Sequence, residues 1–291
     1  MNLVQALLLL LLSAIWGGSF MFMRYLSPIF GPLLTADGRM LLAGIFLVLY
    51  LVATGYRIDW KKDWRRLVVI GLANSGLPFI LFSFAALYVP ASIESVLNAL
   101  SPMFGAVFSA IWLGERLDAR TLAGLLLGAV GVAAIVGLGS LPPSPLLVPA
   151  ILACVLATAC YGLAGVYIKK RGSGLAPKAM AAGSQLSAGL IVLPLAAAFP
   201  PAAQPSSTAL LALLAFALLC SALAYLIYYK LISEIGPTKA LTVTFLIPVF
   251  GSLWGCLILG ESIGPATLGG ALLVLAGTAL VSLPRAARPT R

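Results

Sequence analysis

Apolar residues in this chain neither alternate nor form narrow stripes; they run on. Windows of about 19 residues, the length used to find membrane helices, give ten apolar runs. They lie at 3–23, 34–54, 67–88, 92–113, 121–139, 147–168, 179–199, 209–232, 239–259 and 266–283. Each approaches the ~20 residues that cross a bilayer core, so the pattern predicts ten transmembrane helices joined by short loops. Gly is scattered through most runs, where it lets helices approach closely in lipid. Pro78, Pro102, Pro194 and Pro248 fall within runs or at their ends, and each frees a carbonyl and bends its helix.

Composition narrows the class. Of 291 residues, 62% are hydrophobic and 9% charged, whereas a soluble domain is about half apolar and about a quarter charged. Mean hydropathy is +1.10. A soluble enzyme is excluded, and the loops are too short for an extramembrane domain. The chain has no His, the residue most used for proton transfer near neutral pH. Cys154, Cys160, Cys220 and Cys256 all lie inside apolar runs without metal-site spacing, so they are expected to pack as small side chains. No metal, cofactor or catalytic residue is expected. Met1 and Asn2 lead straight into apolar sequence without a basic segment, which favours a retained first span over a cleaved signal peptide.

The net charge of +10 acquires meaning from its placement. Alternate loops hold Arg57, Lys61, Lys62, Arg65 and Arg66, then Arg116 and Arg120, then Lys169, Lys170, Arg171 and Lys178, then Lys230 and Lys239. The tail adds Arg285, Arg288 and Arg291. Sixteen of the eighteen basic residues therefore fall on one side, with Arg24 and Arg39 the exceptions. The positive-inside rule makes that side cytoplasmic, with both termini there. The basic balance reads as topology, not as a nucleic-acid footprint.

The chain also repeats itself. Leu100-Ser101-Pro102-Met103-Phe104-Gly105 matches Leu246-Ile247-Pro248-Val249-Phe250-Gly251, an offset of 146. The same offset pairs Leu113-Gly114-Glu115 with Leu259-Gly260-Glu261, Gly124 with Gly270 and Gly131 with Gly277. At 145, Trp16-Gly17 meets Tyr161-Gly162 and Ala43-Gly44 meets Ala188-Gly189. Residues 1–141 and 142–291 are thus two halves of five spans each. Five is odd, so the halves are expected to insert with opposite orientation, the layout of many secondary transporters.

With the doubled P-x-x-G segments, the LGE thirteen residues after each Pro, and the early W-G-x-S of Trp16, Gly17, Gly18 and Ser19, the chain resembles the drug/metabolite transporter superfamily. Within it, the likeness is to the ten-span family with two EamA domains, and most of all to bacterial YddG-type amino-acid exporters. That resemblance implies an all-α inner-membrane protein, acting as a monomer, that exports aromatic and other neutral amino acids. It also implies a pathway lined by spans 1, 3, 4, 6, 8 and 9. An alternative within the superfamily is export of drugs, lipophilic cations or another small metabolite.

Polar and aromatic residues in those spans are the candidate substrate contacts. They are Trp16, Ser19 and Phe20; Asn74, Ser75, Phe79, Phe82 and Ser83; Glu94, Asn98 and Ser101; Tyr161; Tyr225, Tyr228 and Tyr229; and Thr242, Thr244 and Phe245. Glu94 is the acid set clearly inside a span, and intramembrane acids are functional by default. It can pair with an ammonium or carry a proton, or else reach water and cap its helix. Asn74 and Asn98 offer donors and acceptors, to a zwitterion or to neighbouring helices. Tyr228 and Tyr229 lie near an interface, where Tyr is common for membrane reasons. Asp37 and Arg39, at the start of the second span, are expected to serve the interface or the helix end. Glu115 and Glu261 are expected to fix helix-end geometry. Pro102 and Pro248 are the candidate gating positions. None of the chosen mid-span positions is basic, which disfavours an anionic substrate. A G-x-x-x-x-G-K-[ST] loop is absent from the sequence, so transport is expected to draw on a gradient.

Overall fold

The computed structural model describes residues 1–138, 144–240 and 242–282. The C-terminal arginines and the boundary between the halves lie outside them. Among the described residues the chain is all helix. α1 spans Leu3–Ala53, α2 Trp60–Ala85, α3 Ala91–Leu113, α4 Ala119–Leu138 and α5 Leu147–Arg171. α6 spans Pro177–Ala197, α7 Ser207–Ile235, α8 Val243–Leu259 after the short turn Pro237–Ala240, and α9 Pro265–Ser282. Eight of these are long and apolar enough to cross a membrane, and α8 is a shorter apolar helix. In lipid every backbone polar group needs an internal partner, which is why such sequence folds as helix and not as open strand.

The first two apolar runs are carried on one 51-residue helix. The sequence predicts a loop between them; instead the helix continues to Phe30 and turns at a single residue, Gly31, with φ 78° and ψ 162°. A positive φ is open to Gly at little cost, and Pro28 and Pro32 flank the turn. At ~1.5 Å per residue the limbs on either side of Gly31 are about 42 and about 33 Å long, each enough for a ~30 Å core. α3 is also interrupted. Its first part ends at Asn98 and its second begins at Ser101, so Pro102 falls in the first turn of the second part, where a missing N–H costs no helical bond. The hydroxyl of Thr278 donates to the Ala99 carbonyl left at that break, at 2.7 Å. α8, by contrast, runs unbroken through Pro248.

Packing is reciprocal across the two halves. A methyl group on Gly17 would strike Gly251 N at 2.7 Å and Phe250 Cβ at 2.8 Å; one on Gly162 would strike Gly105 N at 2.6 Å and Phe104 Cβ at 2.8 Å. Gly38 faces Leu213 while Gly183 faces Leu67, and the α4–α9 seam closes with Gly124 against Gly277 and Gly131 against Gly270. Shifting the partners of each contact by 145 or 146 residues yields the other contact. α3 and α8 both end at a left-handed glycine, Gly114 at φ 70° and Gly260 at φ 67°.

Candidate functional site

Two π turns interrupt the long helices, at Leu72–Gly76 in α2 and Leu218–Leu223 in α7. Their starts are 146 residues apart, so they are repeat-related, and such turns often mark functional sites. Each carries a serine at the matching place, Ser75 and Ser221. Both turns open on the same cluster in the middle of the protein.

Arg39 is at its centre. The limb of α1 carrying it begins right after Gly31, so Arg39 sits two turns inside the helix and is only 5% exposed. Arg39 is thus packed among the helices and not free at the helix end. Its Nε donates to Ser221 Oγ at 2.8 Å and its Nη2 to the Cys220 carbonyl at 3.2 Å. The guanidinium carbon lies 3.8 Å from the centre of the Phe79 ring and 4.6 Å from that of Phe216. Cation–π attraction of this kind is strongest where water is excluded. The groups acting on its charge are Cys220, Tyr161 and Tyr225.

Around it the structure gathers many of the residues expected from sequence. Trp16 packs against Tyr225 and Tyr228, ring centres 6.2 and 5.2 Å apart. Phe20 meets Phe82 edge-on at 5.4 Å, and Phe82 stacks on Tyr161 at 6.2 Å. Asn74 Nδ2 donates to the Tyr225 hydroxyl at 3.3 Å. Ser75 lies buried beside Tyr225, and Ser19 lies buried beside Cys220. Trp16, Asn74, Tyr161, Tyr225 and Tyr228 keep part of their surface accessible, as lining residues would. An open apolar groove of about 280 Å³ lies apart from this cluster, lined by Ile15, Gly18, Phe22 and Trp254 and by the exposed Leu11, Leu219 and Ile258.

Other expected residues are placed elsewhere. Glu94 is fully buried on the first part of α3, and neither carboxylate oxygen has a hydrogen-bond partner among the described residues. The charges acting on it are Arg24 and Glu261, not those around Arg39. Ser83 is buried on α2. Asn98 and Ser101 are half-buried at the α3 break, where the Ser101 hydroxyl donates to the Asn98 carbonyl. Thr242 is exposed, and Thr244 and Phe245 are half-buried at the start of α8. The side chain of Tyr229 lies outside the described set. Glu261 accepts from the backbone N–H groups of Ala91 and Ser92 at 2.7 and 3.0 Å, so it fastens the end of α8 to the start of α3. Its repeat counterpart Glu115 pairs with Lys169 at 2.5 Å on an exposed surface.

The sequence reading missed Arg39, Gln185 and Phe216. Gln185 is fully buried with its amide against the Tyr225 hydroxyl. The signal that could have found Arg39 was the rule applied to Glu94: a charged residue inside an apolar run is functional by default.

Comparison with known proteins agrees with this architecture. The sequence profile of the EamA-like transporter family matches residues 3–137 and again residues 148–283. The chain is 29% identical to the uncharacterized transporter YvbV of Bacillus subtilis, over 95% of this chain and 91% of that one. It is 27% identical to protein PecM of Dickeya dadantii, covering 92% and 88%. A Streptantibioticus cattleyicolor protein named "Probable terminal-alkyne amino-acid exporter" is 25% identical, covering 97% and 95%. A solved crystal structure superposes with a TM-score of 0.65 over 96% of both chains, at 20% identity; it is similar in fold.

Proposed function

The chain belongs to the EamA-like transporter family, and we propose that it exports small metabolites, foremost aromatic and other neutral amino acids, by alternating access between two inverted halves. On this reading α1 crosses the inner membrane twice and the other helices once each, giving ten crossings with both termini in the cytoplasm. The single observation that carries the proposal is the pair of repeat-related π turns meeting at one half-buried aromatic and polar cluster. A site shared between two inverted halves is where alternating-access carriers hold their substrate. The reciprocal glycine contacts support the inversion.

Trp16, Phe20, Phe82, Tyr161 and Tyr228 offer rings to an apolar side chain. Asn74, Tyr225 and Gln185 offer hydrogen bonds to a polar backbone. Drugs or lipophilic cations fit less well, since the charge at the centre is a guanidinium and Glu94 lies apart. The conformation favours access from the basic, cytoplasmic face. Seven of the eight residues of Ala91–Asn98 are buried, while in the repeat-related segment Lys239 and Thr242 are exposed, Thr244 is half-buried, and Ala240 and Val243 are buried. The break ahead of Pro102, unmatched at Pro248, is one place where the halves differ and the proposed point of gating.

The test is a counterflow panel in proteoliposomes with labelled phenylalanine, leucine, a thiol and a lipophilic cation, with and without a pH gradient. Saturable, trans-stimulated uptake of the amino acids is expected. Uptake of the cation without either amino acid would overturn the substrate assignment, and flux linear in concentration would overturn the carrier.

A further inference from the structure

We propose that Arg39 is the anion-binding residue of this site and that the transported molecule is held by a free carboxylate on its guanidinium. The inference deepens the transporter reading and rests on it.

An arginine has five N–H donors in a rigid plane. Here Nε and Nη2 use one edge of that plane, on Ser221 Oγ and the Cys220 carbonyl. Phe79 and Phe216 hold the ring-facing sides. Among the described residues, the two N–H groups of Nη1 and the second of Nη2 bond no protein atom. They form the end-on fork, whose spacing matches the two oxygens of a carboxylate.

Among the described residues no ion pair joins an acid to Arg39, not even Asp37, buried two residues before it; the pairs Asp63 with Arg66 and Glu115 with Lys169 involve other residues. A guanidinium withdrawn from water without a counter-charge is costly, and a substrate anion arriving with its own charge removes that cost. The position is also not scaffold, since Arg39 aligns with Ser184 in the second half. Local geometry is built to hold the guanidinium in place. The Cys220 carbonyl lies inside the π turn and, with two lone pairs, accepts from Arg39 there. The surrounding Trp16, Phe82, Tyr161 and Tyr228 leave the rest of the ligand an apolar, aromatic lining, so the class is a small organic carboxylate with a hydrophobic body, as an aromatic or aliphatic amino acid is.

The test uses the intact protein in proteoliposomes with labelled L-phenylalanine, challenged by analogues that each keep one charged group. 3-Phenylpropanoate keeps the carboxylate, 2-phenylethylamine keeps the ammonium, and inorganic phosphate offers a different anion. Competition by 3-phenylpropanoate, and none by 2-phenylethylamine at the same concentration, is expected. Arg39→Gln is expected to raise KM about tenfold or more, the loss that follows from removing a charge-assisted hydrogen-bonded pair, and Arg39→Lys to recover part of it. Should Arg39→Gln fail to fold, the analogue series on the unaltered protein still decides. Equal competition by the amine, stronger competition by phosphate, or an unchanged KM in Arg39→Gln overturns the proposal while leaving a transporter of amino acids intact. Counterflow of 3-phenylpropanoate without any of phenylalanine overturns the amino-acid assignment and leaves the carboxylate site standing. Counterflow of a lipophilic cation alone overturns both.

Discussion

Glu261 at the end of α8 holds the N–H of Ala91, the first residue of α3, at 2.7 Å, and its other oxygen holds the N–H of Ser92 at 3.0 Å. The carboxylate thereby satisfies two of the four orphan donors at a helix start and meets the positive end of the helix dipole. Charge-assisted bonds of this kind contribute roughly 1.5–3 kcal/mol each. On the proposed topology this contact lies at the face opposite the basic loops. Glu261→Ala is therefore expected to loosen it: in a background lacking the native cysteines, a Ser92→Cys probe should react with a maleimide faster in Glu261→Ala than in the parent. Glu261→Gln keeps one good acceptor and should fall between. An unchanged rate would show that the contact does not hold this end shut.

The related Glu115 is engaged differently. Its ion pair with Lys169 joins side chains 49% and 62% exposed, and exposed pairs contribute about 0–1 kcal/mol. Lys169→Ala is expected to leave transport within about twofold. Glu115→Gln is expected to slow it, because on the proposed cycle the repeat brings this carboxylate to the turn Pro237–Ala240 when the basic face closes, where Thr238, counterpart of Ser92, carries an N–H and Pro237 has none. Equal effects of the two substitutions on initial rate would contradict this role.

The reciprocal glycines predict a matched pair of losses. A Cβ at Gly17 or Gly162 meets backbone within 2.8 Å on both counts, so Gly17→Ala and Gly162→Ala should each destabilise by roughly 1–3 kcal/mol. Gly165→Ala, three residues along α5 with nothing within 4 Å, should be neutral or stabilise by about 0.5–1 kcal/mol, as Ala usually does within a helix. Thermal unfolding in detergent reads all three.

Trp16 touches Tyr225 and Tyr228 at the site. A ring pair is worth about 0.5–1.5 kcal/mol beyond its buried area. Trp16→Ala is expected to weaken phenylalanine transport relative to leucine by about two- to tenfold in KM. Parallel losses for both substrates would mean that Trp16 shapes the site without contacting the side chain.

Much of this fold is legible in the sequence because membrane burial leaves few alternatives: uninterrupted apolar runs become helices, and the helix ends at Gly114 and Gly260 follow from the need for left-handed residues. What escapes is set by geometry that no residue pattern announces. The continuous helix through residues 24–30 hides the true start of the second limb, and with it the depth of Arg39. The π turns arise from how helices pack, so nothing in Leu72–Gly76 or Leu218–Leu223 marks them in advance. The aromatic set Trp16, Phe20, Phe79, Phe82, Tyr161 and Tyr225 was readable because rings in related spans converge. Gln185, a single amide among small residues, was not.

Alternating access is tested most directly by two positions on α3, at its start and at its internal break, with Ser92→Cys and Ser101→Cys introduced separately into the cysteine-free protein. Maleimide reaction is followed with and without saturating phenylalanine. Ser92 is 2% exposed and Ser101 is half-buried in the present conformation, so without substrate Ser101→Cys should react fast and Ser92→Cys slowly. Substrate is expected to slow the first and speed the second. Both positions changing in the same direction, or both reacting fast at once, would contradict a carrier built from two alternating halves.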